Sequence, residues 1–450
     1  MSKYTAYGEE IDNYIEKNYL NKIIKSFIDD CRVINCELIS IILFGGFGKG
    51  EGSIQFINDK SNSIPIPYND FDFYIVTDKK LNDEELNKIS INASKAIGVG
   101  GLEIAYFPAR DYDSNKFFHV DVRCIPYSKL NRLINIQRYY ELKYGSQVIY
   151  GDQVLDKINI IKPDSIPPSD GLRNLFNRFH QMLLGLRENY NDDQKKIKIF
   201  WSFKCYLSIC EALLILEGKF MPTTKERAKL FNQIYEKSFP ELYHLIPNLH
   251  EKVKLAADFK LKPYFNINHD KLWMTGLSDL IKVFEYYIKK MTEVEDIEHA
   301  INKKLPYIYF KPFLEEKIGF NFFPVQYMLN LGYFKILKNH DKTYYNPLLN
   351  WKDVGLRMII PVYYLLKASQ ENKSINPVDK KNIFNAGNNL RIESGEIASK
   401  SKLSYDNYLD KAYNELQKFI ELDENMKKDF WYLRERALKA FGLYYQQRLL

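Results

Sequence analysis

The chain of 450 residues is poor in the residues that build metal clusters and disulfide scaffolds, with five cysteines and seven histidines. No two cysteines form a Cys-x-x-Cys pair, which argues against a zinc site or a disulfide framework and is typical of a reducing compartment. His180, His244 and His250 lack the spacing of metal ligands, so we interpret them as ordinary core or surface residues. We expect a cytoplasmic protein.

Long uninterrupted apolar segments are also scarce. The best candidate, residues 347–368, is interrupted by Lys352, Asp353, Arg357 and Lys367, so it does not provide the ~20 apolar residues that a membrane-spanning helix needs. The first residues of the chain form no apolar signal region. We expect no membrane span, and the sequence leaves the oligomeric state open.

Charge of one sign is not concentrated anywhere in the chain. The 64 basic and 57 acidic residues leave a net charge of +7, and no basic tract or RNA-binding module stands out, which disfavours a dedicated nucleic-acid-binding protein. An apolar content of 46% is ordinary for a globular protein. The length is sufficient for two or three domains.

The chain does contain a glycine-rich turn after an apolar run. Residues 38–44 predict a buried strand, and Gly-Gly-Phe-Gly-Lys-Gly-Glu-Gly follows at 45–52. Glycines let backbone N–H groups approach a phosphate, and Lys49 supplies a nearby positive charge. The turn is not a P-loop, because the Lys-Ser/Thr ending is missing, and it lacks the dinucleotide-binding spacing. Taken alone, it is equally consistent with a flexible loop.

Two aspartates lie at the start of a second apolar run. On a strand, Asp70 and Asp72 point to one face, while Phe71 and Phe73 point to the other, toward the core. Carboxylates this close repel each other unless a cation or a proton offsets the repulsion. Mg²⁺ is the usual cation, because it binds one or two carboxylates together with phosphate oxygens.

A third carboxylate is needed to hold two metal ions. Asp121 lies in an alternating segment in which Val120 and Val122 face inward and Arg123 shares its face. Glu103 is the alternative third carboxylate. We prefer Asp121 because its strand is longer, alternates more clearly and ends at a proline.

The order of these motifs resembles the nucleotidyltransferase (DNA polymerase β-like) superfamily, and the Gly-Gly-Phe-Gly-Lys-Gly-Glu-Gly turn with Asp-x-Asp resembles a prokaryotic branch of it. The resemblance extends over residues 37–152. It implies that Gly45 and Gly46 line the triphosphate. It further implies that Asp70 and Asp72 hold two Mg²⁺ (or Mn²⁺) ions and that Asp121 completes the one that activates the acceptor hydroxyl.

The resemblance also has departures and extensions. Many members have Gly-Ser where this chain has Gly45-Gly46, so backbone donors must replace a hydroxyl. The insert at 53–67 predicts an extra loop or hairpin. In the following helices, the resemblance implies that Lys204 lies where a family lysine or arginine reaches the triphosphate, and a solvated helix face is the equally open alternative. Lys225 and Arg227 are weaker candidates, more simply interpreted as a solvated helix face.

The sequence therefore predicts an α+β fold, in which a small mixed-sheet nucleotidyltransferase domain precedes a large all-helical region. We place the catalytic domain at 1–165, a helical domain that closes the nucleotide cleft at 166–302 and a C-terminal helical domain at 303–450. Helices are predicted at 171–188, 194–217, 223–237, 239–258, 270–302, 322–339, 351–370, 378–391, 403–421 and 424–448.

The expected function is Mg²⁺-dependent transfer of a nucleoside monophosphate from a nucleoside triphosphate to an acceptor hydroxyl, with release of pyrophosphate. A small molecule, sugar or protein acceptor is favoured over RNA. Two alternatives stay open at this stage. One is an RNA 3′-end nucleotidyltransferase, and the other is a non-catalytic nucleotide-binding scaffold on the same fold.

Overall fold

A computed structural model of the protein describes residues 3–59, 62–68, 70–99, 119–301, 305, 358–371 and 404–449. The strands are β1 Leu38–Phe44, β2 Ile54–Asp59, β3 Asn62–Pro67, β4 Phe71–Thr77, β5 Val120–Pro126 and β6 Gln147–Gly151. The helices are α1 Glu9–Ile15, α2 Asn21–Val33, α3 Gly45–Gly48, α4 Asp83–Ala96, α5 Gln137–Tyr144, α6 Pro168–Leu184, α7 Asp192–Leu216, α8 Thr224–Ser238, α9 Pro240–Leu245, α10 Leu249–Leu261, α11 His269–Thr292, α12 Ile297–His299, α13 Ile359–Glu371, α14 Tyr405–Leu416 and α15 Phe430–Leu449.

Four strands form one mixed sheet in the order β5-β4-β1-β6. Strand β1 is antiparallel to both β4 and β6, whereas β4 and β5 run parallel. The insert at 53–67 forms a separate hairpin of β2 and β3. The predicted α+β fold, with a small mixed sheet followed by a large helical region, is confirmed.

The two faces of the sheet belong to two different cores. Phe71, Phe73 and Ile75 of β4 pack with the N-terminal helices α1 and α2, as the alternation of the sequence predicts. Tyr74 and Val76 point the other way and join the core built by the helical region. Because side chains alternate along a strand, Asp72 lies on this second face, which the helices cover.

Helix α7 forms the centre of the helical region and packs against α6, α10 and α11. Among the described residues it is the one helix long and apolar enough to match a membrane span, and 72% of its most apolar stretch is buried inside the protein. The sequence predicts a helix at 194–217, but it indicates residues 347–368 as the segment nearest to a membrane span. The contacts of α7 with three neighbouring helices account for its apolar composition.

The C-terminal helices are not separated from the earlier ones by a gap in the core. Helices α13 and α15 both contact α6, and the described residues of 358–371 and 404–440 share one hydrophobic core with those of 166–301. The domain boundaries at 165 and 302 remain predictions. The predicted helices at 322–339 and 378–391 lie outside the described residues.

One predicted helix is divided in the structure. The segment expected as a single helix at 239–258 forms α9 and α10, with a break at residues 246–248. Pro247 lies in the break, and a proline has no N–H to donate to the preceding turn. The helix expected at 270–302 ends at Thr292, where Glu293 adopts a left-handed conformation with φ of 57°.

Candidate active site

The three aspartates lie on neighbouring strands at one end of the sheet. The Cα atoms of Asp72 and Asp121 are direct partners across the parallel β4–β5 pair, and Asp70 immediately precedes β4. Neighbouring strands lie about 4.8 Å apart. The structure therefore brings together the three carboxylates that the sequence selects. Glu103, the alternative third carboxylate, lies outside the described residues.

The three carboxylates place several negative charges close together. Burial raises the pKa of Asp72 well above its ordinary value, and the charges of Asp70 and Asp121 raise it further. Arg123 and Lys204 oppose that rise without cancelling it. A site with this imbalance favours a cation, because a cation restores the ionised form of the carboxylate.

The charge and position of these carboxylates suit a metal ion, but the side chains do not form a complete coordination shell. Among the described residues, no three His, Cys, Asp or Glu side chains converge as a ready-made metal site. An oxygen of Asp121 lies 3.6 Å from Nη2 of Arg123. Metal binding would require Asp121 to exchange this arginine for the cation, and Asp70 and Asp72 would supply the remaining carboxylates.

The glycine-rich turn lies directly against Asp72. Gly45 begins α3 with a φ of 65°, and a Cβ atom at this position would overlap Oδ2 of Asp72. Only glycine meets both requirements, the left-handed backbone and the missing side chain. Gly46 continues the turn and accepts a hydrogen bond from the N–H of Glu51 at 2.8 Å. The turn and the acids therefore form one site, although they are about 25 residues apart in sequence.

Lys49 is held away from the acids by an ion pair. Its Nζ donates to Oε1 of Glu141 at 2.7 Å, and only 5% of the Lys49 side chain is exposed. The same Glu141 oxygen accepts from Arg227 at 2.7 Å. The predicted contact of Lys49 with the nucleotide would therefore require this pair to open, and it remains a prediction.

Lys204 approaches the acid face from helix α7. Its Nζ lies 5.3 Å from the ring centroids of both Phe200 and Trp201. Burial lowers the pKa of Lys204 to about 8, while the charges of Asp70 and Asp72 act in the opposite direction. The structure brings this lysine within electrostatic reach of the acid pair, on the side that the sequence indicates. Its role in nucleotide binding remains a prediction.

Arg227 has a structural role that the sequence did not reveal. The expectation of a solvated helix face is wrong, because the side chain is 3% exposed and pairs with both Glu141 and Glu211, at 2.7 and 3.0 Å. It also donates to the carbonyl oxygen of Met221 at 3.1 Å. Arg227 therefore connects the helical region to the ion pair that holds Lys49.

Glu51, within the glycine-rich turn, forms a second connection to the helical region. Its carboxylate accepts the backbone N–H groups of Thr224 and Lys225 at 2.9 Å each, which caps the first turn of α8. Burial raises the pKa of Glu51, but Lys260 and these N–H groups hold it below its ordinary value. The caps and the ion pairs fix the helical region against the turn.

An aromatic wall borders the acids on the helical side. Tyr68, two residues before Asp70, packs edge-to-face on Phe200 with ring centroids 5.8 Å apart and contacts Phe265 at 5.6 Å. Burial raises the pKa of Tyr68. Its position could be anticipated only from the tertiary fold, because Phe200 and Phe265 are more than 100 residues away in sequence.

Neither a protein-family model nor a curated protein matches this sequence. Among solved structures, the chain is similar to the spectinomycin adenyltransferase from Enterococcus faecialis, crystallised with ATP and spectinomycin. The two chains share 18% sequence identity, the match covers 58% of this chain and 97% of that chain, and the TM-score is 0.31. A likeness this weak carries no argument about activity, so the function of this protein has to be inferred from the geometry of its own site.

Proposed function

We propose that this protein is a metal-dependent nucleotidyltransferase, which moves a nucleoside monophosphate from a nucleoside triphosphate to an acceptor hydroxyl. The observation that carries this proposal is the contact between Gly45 and the Asp72 carboxylate, with Asp121 opposite Asp72 on the next strand. A backbone that can approach phosphate then lies beside three carboxylates, which is the combination that phosphoryl-group chemistry needs.

Each residue has a role that follows from its position. The backbone N–H groups at Gly45 and Gly46 would bind phosphate oxygens, because glycines without side chains let the phosphate approach the backbone closely beside the Asp72 carboxylate. Lys204 adds positive charge from the helical side. Asp70 and Asp72 would hold two Mg²⁺ or Mn²⁺ ions, and Asp121 would complete one of them.

The reaction is an in-line substitution at the α-phosphorus. The acceptor oxygen forms a bond to phosphorus, the bond to the bridging oxygen breaks, and pyrophosphate leaves with that electron pair. Asp121 takes the proton of the acceptor hydroxyl. When bound, the two metal ions lower the pKa of that hydroxyl and neutralise the charge of the departing pyrophosphate. Nucleoside triphosphates and Mg²⁺ are cytoplasmic reactants, and we propose this location for the protein.

The test is turnover of α-labelled nucleoside triphosphates with Mg²⁺ and a cell extract as the source of acceptor. Wild-type protein should release pyrophosphate and label one fraction of the extract. Asp70→Ala and Asp121→Ala should abolish both signals while the circular dichroism spectrum stays unchanged. Asp29→Ala, at an exposed position on α2, is the matched control and should keep full turnover.

Full turnover by both Asp70→Ala and Asp121→Ala would contradict the metal assignment. Nucleotide and Mg²⁺ binding without turnover in any extract would instead support a non-catalytic scaffold. Because the fraction that becomes labelled reports the class of the acceptor, the same experiment separates a small molecule from a protein or an RNA.

A further inference from the structure

Glu51 has its backbone in the glycine-rich turn and its carboxylate in the helical region. Its backbone N–H donates to the carbonyl oxygen of Gly46 at 2.8 Å, which closes the turn at one of the glycines assigned to phosphate binding. The residue is 2% exposed, and its carboxylate binds the start of α8, 173 residues later in the chain. The reaction proposed above gives Glu51 no role.

Both oxygens of the Glu51 carboxylate accept a hydrogen bond from α8. Oε2 accepts the backbone N–H of Thr224 and Oε1 accepts that of Lys225, each at 2.9 Å. The first N–H groups of a helix lack partners within the helix, and the helix dipole favours negative charge at this end. These two bonds therefore attach the side chain at two points, which leaves the carboxylate little freedom to move relative to α8.

Lys260, near the end of α10, holds the same part of the turn from a second helix. Its Nζ lies 3.8 Å from Oε2 of Glu51 and donates to Oγ1 of Thr224 at 2.8 Å. Its backbone carbonyl oxygen accepts the hydroxyl of Ser53, two residues after Glu51. The start of α8 and the end of α10 therefore both bind the C-terminal end of the turn.

The N-terminal end of the turn is held by the sheet instead. The ring of Phe47 is buried and lies 4.4 Å from the ring of Phe71, measured between centroids, and Phe71 stands between the two aspartates of the Asp-x-Asp motif. Gly45 lies against the Asp72 carboxylate. Since Gly46 lies between these two attachments, its position depends on the helical region as well as on the sheet.

On the basis of the proposed function, we infer that Glu51 is a positioning residue for the nucleoside triphosphate. Its attachment to α8 holds the phosphate-binding backbone of Gly45 and Gly46 beside the metal-binding aspartates before the nucleotide arrives. A turn without this attachment has to be ordered when the triphosphate binds, and the ordering lowers the affinity. Because the turn contacts the triphosphate and not the acceptor, the loss falls on nucleotide binding alone.

The test is Glu51→Gln, which keeps the size of the side chain. An amide has one accepting oxygen and one NH₂ group, so one of the two N–H groups of α8 would face another donor. Pyrophosphate release is measured with Mg²⁺ and the extract fraction that supports turnover. We expect the KM for the nucleoside triphosphate to rise about tenfold or more, which corresponds to about 1.4 kcal/mol. The KM for the acceptor fraction should stay unchanged.

Thr223→Ala is the matched control, because it weakens the start of the same helix without touching the turn. The hydroxyl of Thr223 caps α8 by accepting the backbone N–H of Glu226 at 3.2 Å. Thr223→Ala and Glu51→Gln should both lower the urea midpoint of unfolding, since each removes a cap of α8. Only Glu51→Gln should raise the KM for the nucleotide, which separates positioning from a general loss of stability.

Two results would overturn the inference while leaving the proposed function intact. One is a variant Glu51→Gln that loses stability but keeps the wild-type KM for the nucleotide. The other is a rise of this KM in Thr223→Ala as large as that in Glu51→Gln. If Glu51→Gln does not fold, Lys260→Met takes its place: it removes the cation beside the Glu51 carboxylate and should raise the same KM severalfold, and an unchanged KM would overturn the inference.

A protein that shows no turnover with any extract fraction would refute the proposed function, and a binding measurement would then decide the inference. Equilibrium dialysis with each α-labelled nucleoside triphosphate and Mg²⁺ gives the dissociation constants. About tenfold weaker binding by Glu51→Gln than by Thr223→Ala would support the positioning role. Equal binding by the two variants, or no binding by the wild-type protein, would overturn it.

Discussion

Glu141 is the residue whose replacement tests how the helical region is attached to the glycine-rich turn. Its carboxylate accepts from Lys49 and from Arg227, and both of these side chains are almost fully buried. Glu141→Gln keeps the size of the side chain but removes the negative charge between two positive ones. Arg227 retains Glu211, whereas Lys49 loses its only recorded ion-pair partner within the described residues.

The pKa of Glu141 gives the magnitude of the stability that Glu141→Gln is expected to lose. Burial raises this pKa, but the charges of Lys49 and Arg227 and their hydrogen bonds lower it from 4.5 to about 2. At 1.36 kcal/mol per pKa unit, the ionised carboxylate contributes about 3 kcal/mol to the free energy of unfolding. This agrees with the roughly 3–5 kcal/mol lost when a buried charge is deprived of its partner.

The assay is urea denaturation followed by circular dichroism, with Glu236→Gln as the control at an exposed position on α8. At pH 7, Glu141→Gln should lower the free energy of unfolding by about 3 kcal/mol, and the control should change it by less than about 0.5 kcal/mol. Because the pKa of Glu141 is lower in the folded state, its contribution is complete above pH 4.5. The difference between wild type and variant should therefore shrink as the pH falls from 4.5 toward 2.

A variant Glu141→Gln as stable as the control at pH 7 would refute this reasoning. The ion pairs would then not hold the helical region on the turn. Lys49 would then have no structural role in this ion pair, and its predicted contact with the nucleotide would gain support.

Two further predictions concern the turn and helix α6. Gly45→Ala and Gly98→Ala both place alanine at a positive φ, which costs about 1–2 kcal/mol of stability, but only at Gly45 does the new Cβ overlap the Asp72 carboxylate. Nucleotide turnover should therefore be lost in Gly45→Ala and kept in Gly98→Ala. Equal turnover by the two variants would contradict the contact between Gly45 and Asp72. Burial lowers the pKa of His180 from 6.5 to about 4. Between pH 6.5 and pH 4 the unfolded state therefore binds more protons than the folded state. The free energy of unfolding should fall by up to about 3 kcal/mol as the pH is lowered over this range. His180→Gln should flatten this part of the stability curve, and an unchanged curve would show that another group is responsible.

The alternation of side chains along strands was the strongest guide from the sequence. It placed Asp72 and Asp121 on one face and Val120 and Val122 on the other, and the structure confirms this alternation. Helix α4 also has a purely local signal, since Asn82 and Glu85 form a capping box at its start. These features depend on residues that are neighbours in sequence, so a short window contains the information.

The contacts that the sequence did not reveal join distant segments. Lys49 and Glu141 are 92 residues apart, and Glu51 caps a helix that begins 173 residues later. A lysine after a glycine-rich turn has the same local sequence whether it meets a phosphate or a carboxylate. Tyr74 shows the same limit, because alternation assigns it to the acid face, but only the packed helices leave its hydroxyl buried and without a hydrogen bond to any of the described residues.

The most direct test of the central claim is the anomalous scattering of Mn²⁺ in crystals grown with a non-hydrolysable nucleoside triphosphate analogue. We predict two Mn²⁺ peaks about 3.5–4 Å apart, both contacted by Asp70 and Asp72 and one of them also by Asp121, with the triphosphate against Gly45 and Gly46. A nucleotide bound elsewhere, with no Mn²⁺ at these carboxylates, would contradict the assignment of this site to nucleotidyl transfer.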